Sequence, residues 1–289
     1  MYIKDIINKK KPVLSFEIFP PKQESSIDTV TEAIDKMATM PIDYMSVTYG
    51  AGGSTSKKTA ELARYIEENH SLSALAHLTC ISSDKENIRT ALEDLRDKGI
   101  KNILALRGDI PKDATFPLPD SYHYASELVS DIKDFGGFCI GGACYPESHP
   151  DSPSLDTDIE NLKIKADAGV DFLVTQMFFD NDAFYQFRDK ALKKGINLPI
   201  TAGIMPLTNI SQIQRMCILS GGASMPSKFT KMIAKYEHNP SALRQAGIAY
   251  AVDQIIELIS NDIDGIHLYT MNRPETAEKI VSVINSLFE

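Results

Sequence analysis

Three consecutive stretches decide the fold: LSALAHLTC (72–80), DKENIRTALEDLRDKG (84–99) and NILALRGD (102–109). An apolar run gives way to a polar turn, then to a segment with Ile88, Ala91, Leu92 and Leu95 on one helical face, then to a second apolar run. Ser83 or Asp84 is placed to cap that helix, and Gly99 to end it. The apolar runs are nearly continuous rather than alternating, as parallel strands covered by helices should be.

The same unit recurs along the chain. Further apolar runs are PVLSFEIFPP (12–21), YMSVTYG (44–50), FCIGGACYP (138–146), FLVTQMFF (172–179), PITAGIMP (199–206) and GIHLYTMN (265–272). They begin about 27–36 residues apart, except for a longer gap before the last, and that spacing suits one βα unit each. In TVTEAIDKMATM (29–40), Val30, Ala33, Ile34, Met37 and Met40 share a face, and ALRQAGIAYAVDQIIELIS (242–260) reads as an extra helix before the eighth strand. Eight such units predict a closed (β/α)8 barrel over residues 1–289 as one α/β domain, with a doubly wound open sheet as the alternative. The 289 residues suffice for a barrel of ~250 residues.

Composition narrows the function. Thirty Lys and Arg against 39 Asp and Glu give a net charge of −9, and the longest basic run is Lys9-Lys10-Lys11, so no nucleic-acid partner is expected. The N-terminus carries no apolar signal core, and no run of about 18 uncharged apolar residues exists, so no membrane is expected. The cysteines Cys80, Cys139, Cys144 and Cys217 show neither C-x-x-C nor histidine partners at metal spacing, which predicts free thiols in the cytoplasm and no metal.

Barrel chemistry sits at the C-terminal ends of the strands. Polar residues gather at those positions: Glu17, Thr48, His77, Arg107 with Asp109, Tyr145 with Glu147 and His149, Gln176, and Tyr269 with Arg273. Ser15, Glu17 and Phe19 share one face, as do Ser46 and Thr48. Glu17, within Phe16-Glu17-Ile18-Phe19, loses hydration there, which favours its neutral form and suits a general acid. A structural glutamate paired with an arginine across the barrel is the alternative. Arg107 is placed to hold Asp109 charged, and Gly108 admits a flat ligand close to the backbone. Gly50-Ala51-Gly52-Gly53-Ser54 is either a phosphate cradle or a tight turn. No G-x-G-x-x-G follows the first strand, and His70, His123 and His238 are expected to face solvent.

These residues also carry a resemblance. FEIFPPK (16–22), VTYGAGGS (47–54), HLTC (77–80), ALRGD (105–109), YPESHP (145–150), KADAGVDFLVTQMFFD (165–180), GIMP (203–206) and YTMNRPE (269–275) resemble bacterial methylenetetrahydrofolate reductases in order and spacing. The resemblance implies non-covalent FAD and reduction of 5,10-methylenetetrahydrofolate to 5-methyltetrahydrofolate by NADH or NADPH in a ping-pong sequence. It makes Glu17 the general acid and Asp109 a catalytic residue between flavin and pterin. FAD contacts would come from Thr48, Tyr49, Ala51 and His77, and from Leu106, Arg107, Gly108 and Asp109. Tyr124, Ala125, Ala143, Tyr145 and His149 would add others, with Asp158, Asn161 and Lys165 from one helix. Gln176, Gln212, Tyr269 and Arg273 would contact folate together with Asp109.

Two residues depart from the family pattern. Ile164 replaces a basic FAD-contacting residue of some members, and Met216 stands where an aromatic residue can stack on the nicotinamide. Met216 leaves open an alternative in which a partner protein donates the electrons. The C-terminal regulatory domain of eukaryotic members is expected to be absent, and a homo-oligomer is compatible with the pattern.

Overall fold

The computed structural model describes residues 1–21, 27–49, 55–81, 83–109, 121–213 and 224–288. Eight parallel strands close a barrel in chain order: β1 (Val13–Ile18), β2 (Tyr44–Val47), β3 (Ser73–Thr79), β4 (Asn102–Leu106), β5 (Cys139–Cys144), β6 (Phe172–Thr175), β7 (Ile200–Ile204) and β8 (Gly265–Tyr269). Each lies within one of the eight apolar runs. The open-sheet alternative is excluded by pairing of β1 with β8.

The helices are α1 (Ile3–Lys9), α2 (Ile27–Ala38), α3 (Thr55–Asn69), α4 (Lys85–Asp97) and α5 (Ala125–Phe135). They are followed by α6 (Leu155–Asp167), α7 (Asn181–Lys193), α8 (Ser227–Tyr236), α9 (Pro240–Ser260) and α10 (Pro274–Ile284). The caps follow the side chains. Asp84 accepts from the Asn87 amide, Ser154 from Thr157 and Asn239 from Ala242, each satisfying an otherwise orphaned donor.

Sequence reading did not anticipate α1. Its Ile3 and Ile7 are fully buried against Val13, Tyr44, Leu75, Leu104, Cys139, Phe172 and Val174, where they close the N-terminal end of the barrel. Three aspartates that precede strands bind the same terminus. Asp43, Asp171 and Asp264 accept the amides of Leu14, Ile140 and Ile200 on neighbouring strands, and pair with Lys10, Lys4 and Lys11 respectively. The plug is therefore fastened by apolar burial inside and charge pairs outside.

Asn102 is the polar centre of that end. Fully buried, it accepts from the Ile3 amide at 2.8 Å and donates to the carbonyls of Met1 and Ala74, both at 3.1 Å. Asn102→Leu keeps the branched shape at a larger volume, and it takes a partner from the Ile3 amide and from the Met1 and Ala74 carbonyls. It should destabilise the chain by about 2–4 kcal/mol, since each unsatisfied buried group costs roughly 1–3 kcal/mol. Urea denaturation reads this directly; a loss under about 0.5 kcal/mol would mean that water or a shifted α1 replaces the bonds.

Candidate active site

At the opposite end the loops following the strands surround a cavity of about 1140 Å³, larger than the roughly 300–1,000 Å³ usual for a small-ligand pocket. Its floor is built by strand register. Ser15 lies beside His267, and Glu17 beside both Ser46 and Tyr269, so alternation turns all of them into the barrel.

Glu17 is held there between two histidines. Its Oε2 is 3.6 Å from Nε2 of His77 and 3.6 Å from Nε2 of His267, and its side chain is 8% exposed. No arginine pairs with it among the described residues. His267 is fully buried; its Nδ1 is 2.7 Å from the Ser15 hydroxyl and its Nε2 3.4 Å from that of Ser46. His267 is not among the strand-end residues singled out from the sequence. Its signal was present: a histidine inside an apolar strand, two residues before Tyr269 and hence on the same face.

Burial pushes the His77 imidazole down to about 4, with nearby Glu17 opposing and His267 assisting. Its Nε2 is buried without a hydrogen-bond partner, a vacant donor or acceptor at the cavity. The shift has a consequence for stability. The unfolded histidine takes a proton below its ordinary 6.5, whereas the folded one does so only near 4, so stability present above 6.5 is lost as pH falls through that window. The full effect is at most roughly 3–4 kcal/mol, from 1.36 kcal/mol per pKa unit. His77→Asn should flatten the decline in urea stability between pH 7 and 4.5; parallel declines would assign it to other groups.

The opposite wall comes from β4 to β6. Gly108 has φ +87°, and a Cβ there would press on Thr79 and Ile81, so the backbone is left bare at the cavity. Arg107 bonds Asp151 at 2.7 Å rather than Asp109, which corrects the expected pairing. The reason is loop geometry: the guanidinium turns toward the loop after β5, and it holds the Asp151 carboxyl below its usual range. Asp109 lies exposed at the rim. Asp158 organises that loop, accepting the His149 amide and the Ser152 hydroxyl, both at 3.0 Å. His149 meets the Tyr145 ring edge-on at 4.7 Å. Lys165 donates to the Ala143 carbonyl, and burial pushes its ammonium below the ordinary lysine range.

The cavity thus brings together Thr48, Tyr49, His77, Leu106, Arg107, Gly108, Asp109, Tyr124, Ala125, Ala143, Tyr145, His149, Asp158, Asn161 and Lys165, together with Glu17, Gln176 and Tyr269. Gln212 and Arg273 do not line it. Gln212 accepts the Thr208 amide at 3.0 Å, and Arg273 reaches the Thr208 hydroxyl at 3.5 Å, so both organise the neighbouring loop after β7. Ala51, the glycine-rich stretch, Met216 and Cys217 lie outside the described residues. Ile164 is 60% exposed at the cavity rim. Cys80, Cys139 and Cys144 are buried free thiols. His70 is tied to Asp35 at 2.8 Å, so it is less free in solvent than its sequence suggested. Among the described residues no group of three His, Cys, Asp or Glu is arranged for a metal, and no helix is long and apolar enough to cross a membrane.

A closed eight-stranded α/β barrel with a buried carboxylate at its C-terminal mouth defines a (β/α)8-barrel enzyme. Comparison with known proteins supplies the family. The family model described as methylenetetrahydrofolate reductase matches residues 2–285. The chain is 36% identical to the 5,10-methylenetetrahydrofolate reductase of Pectobacterium carotovorum, covering 92% of this chain and 88% of that one. The Escherichia coli enzyme of the same name is 33% identical with the same coverage. A Schizosaccharomyces pombe relative, methylenetetrahydrofolate reductase 1, is 36% identical, but the chain spans 47% of its length. Among solved structures, a Clostridium thermocellum protein described as binding two copies of 5-methyl-5,6,7,8-tetrahydrofolic acid shares the fold, with a TM-score of 0.67, 16% identity, and coverage of 99% of this chain and 98% of that one. The chain belongs to the methylenetetrahydrofolate reductase family, and is an oxidoreductase acting on folate.

Proposed function

We propose that this barrel reduces 5,10-methylenetetrahydrofolate to 5-methyltetrahydrofolate with non-covalent FAD in the mouth cavity and NADH or NADPH as donor, in a ping-pong sequence. The observation that carries the reading is Glu17, buried on the cavity floor between His77 and His267.

The cavity residues suit FAD on chemical grounds. Arg107 and the half-buried Lys165 supply positive charge for a diphosphate, and the bare backbone at Gly108 admits a flat ring. The unpartnered Nε2 of His77 awaits a hydrogen-bonding ligand, since buried polar atoms rarely stay unpaired. FAD bound there would supply the hydride chemistry.

The chain's own part is to bind, orient and move a proton. Opening the five-membered ring of methylenetetrahydrofolate gives an N5-iminium, and the N10 amine that departs needs a proton. Glu17 gives it. His77 and His267 flank the carboxyl, each with its Nε2 3.6 Å from the carboxylate oxygen, and Ser15 orients His267 from behind. Asp109 at the rim sets a negative charge near the developing iminium cation, while Gln176 and Tyr269 bound the folate side. Tyr269 is itself fixed, donating to the Thr175 carbonyl at 2.8 Å.

Anaerobic addition of NADH or NADPH to the holoprotein tests the donor. Bleaching of the flavin supports the nicotinamide route; a flavin that stays oxidised while folate still reacts with it assigns the electrons to a partner protein.

A further inference from the structure

The helix α9, inserted between β7 and β8, does more than cover the barrel wall. Gly247, Tyr250 and Gln254 are spaced i, i+3 and i+7, so they share one face. Each meets the backbone of a mouth loop. The Tyr250 hydroxyl donates to the Phe179 carbonyl at 2.5 Å, and the buried Gln254 amide donates to the Phe178 carbonyl at 3.0 Å. Asn181 returns a bond to the Gln254 carbonyl at 3.2 Å. At Gly247 the helix comes so close to the Leu207 carbonyl that a Cβ would overlap it.

The loops so held carry the folate-side residues. Phe178 and Phe179 follow Gln176 at the end of β6. Leu207 precedes Thr208, the residue that Gln212 and Arg273 both bond. Aromatic stacking reinforces the arrangement: Phe229 on α8 stacks on Phe179 at 5.0 Å and meets Tyr250 at 4.8 Å. None of the contacts named for α9 falls on the Arg107–Lys165 wall of the cavity.

We propose that Gly247, Tyr250 and Gln254 are positioning residues, a brace through which α9 sets the loops after β6 and β7 and thereby the affinity for folate, leaving the flavin side untouched. The inference rests on the functional reading above. Backbone carbonyls are the points held, so the brace fixes loop geometry rather than any one side chain.

The test uses the holoenzyme with Tyr250→Phe and with Tyr250→Phe combined with Gln254→Met, which remove hydrogen-bonding groups while keeping bulk. Binding of 5-methyltetrahydrofolate is titrated, together with flavin content and the KM and kcat for methylenetetrahydrofolate. The double variant should bind folate about tenfold more weakly, equivalent to roughly 1.4 kcal/mol, with kcat changed less than about threefold and flavin content unchanged. Should the double variant not fold, Tyr250→Phe alone carries the test, with a loss of about threefold expected. Unaltered folate affinity, or folate and flavin affinity falling together, would overturn the brace. Wild-type protein that binds no folate refutes the functional reading and the brace with it; wild-type binding with unaltered variants refutes the brace alone.

Discussion

Glu17→Gln should lower turnover of methylenetetrahydrofolate by at least ~100-fold, the lower end of what a positioned general acid contributes. Glutamine keeps the shape of the side chain between His77 and His267, but has no acidic proton to give to the N10 amine. Hydride delivery by NADH needs no such proton. Bleaching of the bound flavin by NADH should therefore proceed at a near wild-type rate, while its reoxidation by methylenetetrahydrofolate nearly stops. Rapid-mixing measurements of the two processes separate the cases. Equal slowing of both makes Glu17 a structural or flavin-tuning residue, and unchanged rates remove it from the mechanism.

Lys165→Met should release the flavin. The Lys165 ammonium donates to the Ala143 carbonyl, and a charge in such a buried setting acts on a ligand more strongly than it would in water. A hydrogen bond to a charged group is worth about 1.5–3 kcal/mol, which predicts flavin affinity roughly 10- to 100-fold weaker. Methionine preserves the chain length and bulk, so the charge and its bond to the Ala143 carbonyl on β5 are what is lost. Equilibrium dialysis against FAD measures the effect without reference to turnover. Undiminished affinity would move the diphosphate away from Lys165, toward Arg107 and the loop after β5.

Most of the architecture was legible in sequence because parallel barrel strands are covered on both faces and read as continuous apolar runs. Each run from Val13–Ile18 to Gly265–Tyr269 became a strand. The plug α1 was not legible: it spans two turns, with Ile3 and Ile7 set among lysines and polar residues, too short for a periodic signal. The lining of the cavity was legible at strand ends, where Glu17, His77 and Tyr269 interrupt apolar sequence. Pairings were not. Arg107 reaches Asp151, 44 positions away, over its near neighbour Asp109, because loop geometry and not sequence proximity decides which carboxylate it meets. Gln212 and Arg273 likewise turn to Thr208 in the loop after β7, contacts that no sequence pattern marks. His267 shows the reverse case, a residue visible by alternation once β8 is placed beside β1.

The most direct test of the central claim is to purify the protein, release its chromophore with acid, and supply methylenetetrahydrofolate with NADH or NADPH under anaerobic conditions. The account predicts yellow protein, extractable FAD, and formation of 5-methyltetrahydrofolate. Well-folded, colourless protein that cannot be reconstituted with FAD and forms no 5-methyltetrahydrofolate would contradict it.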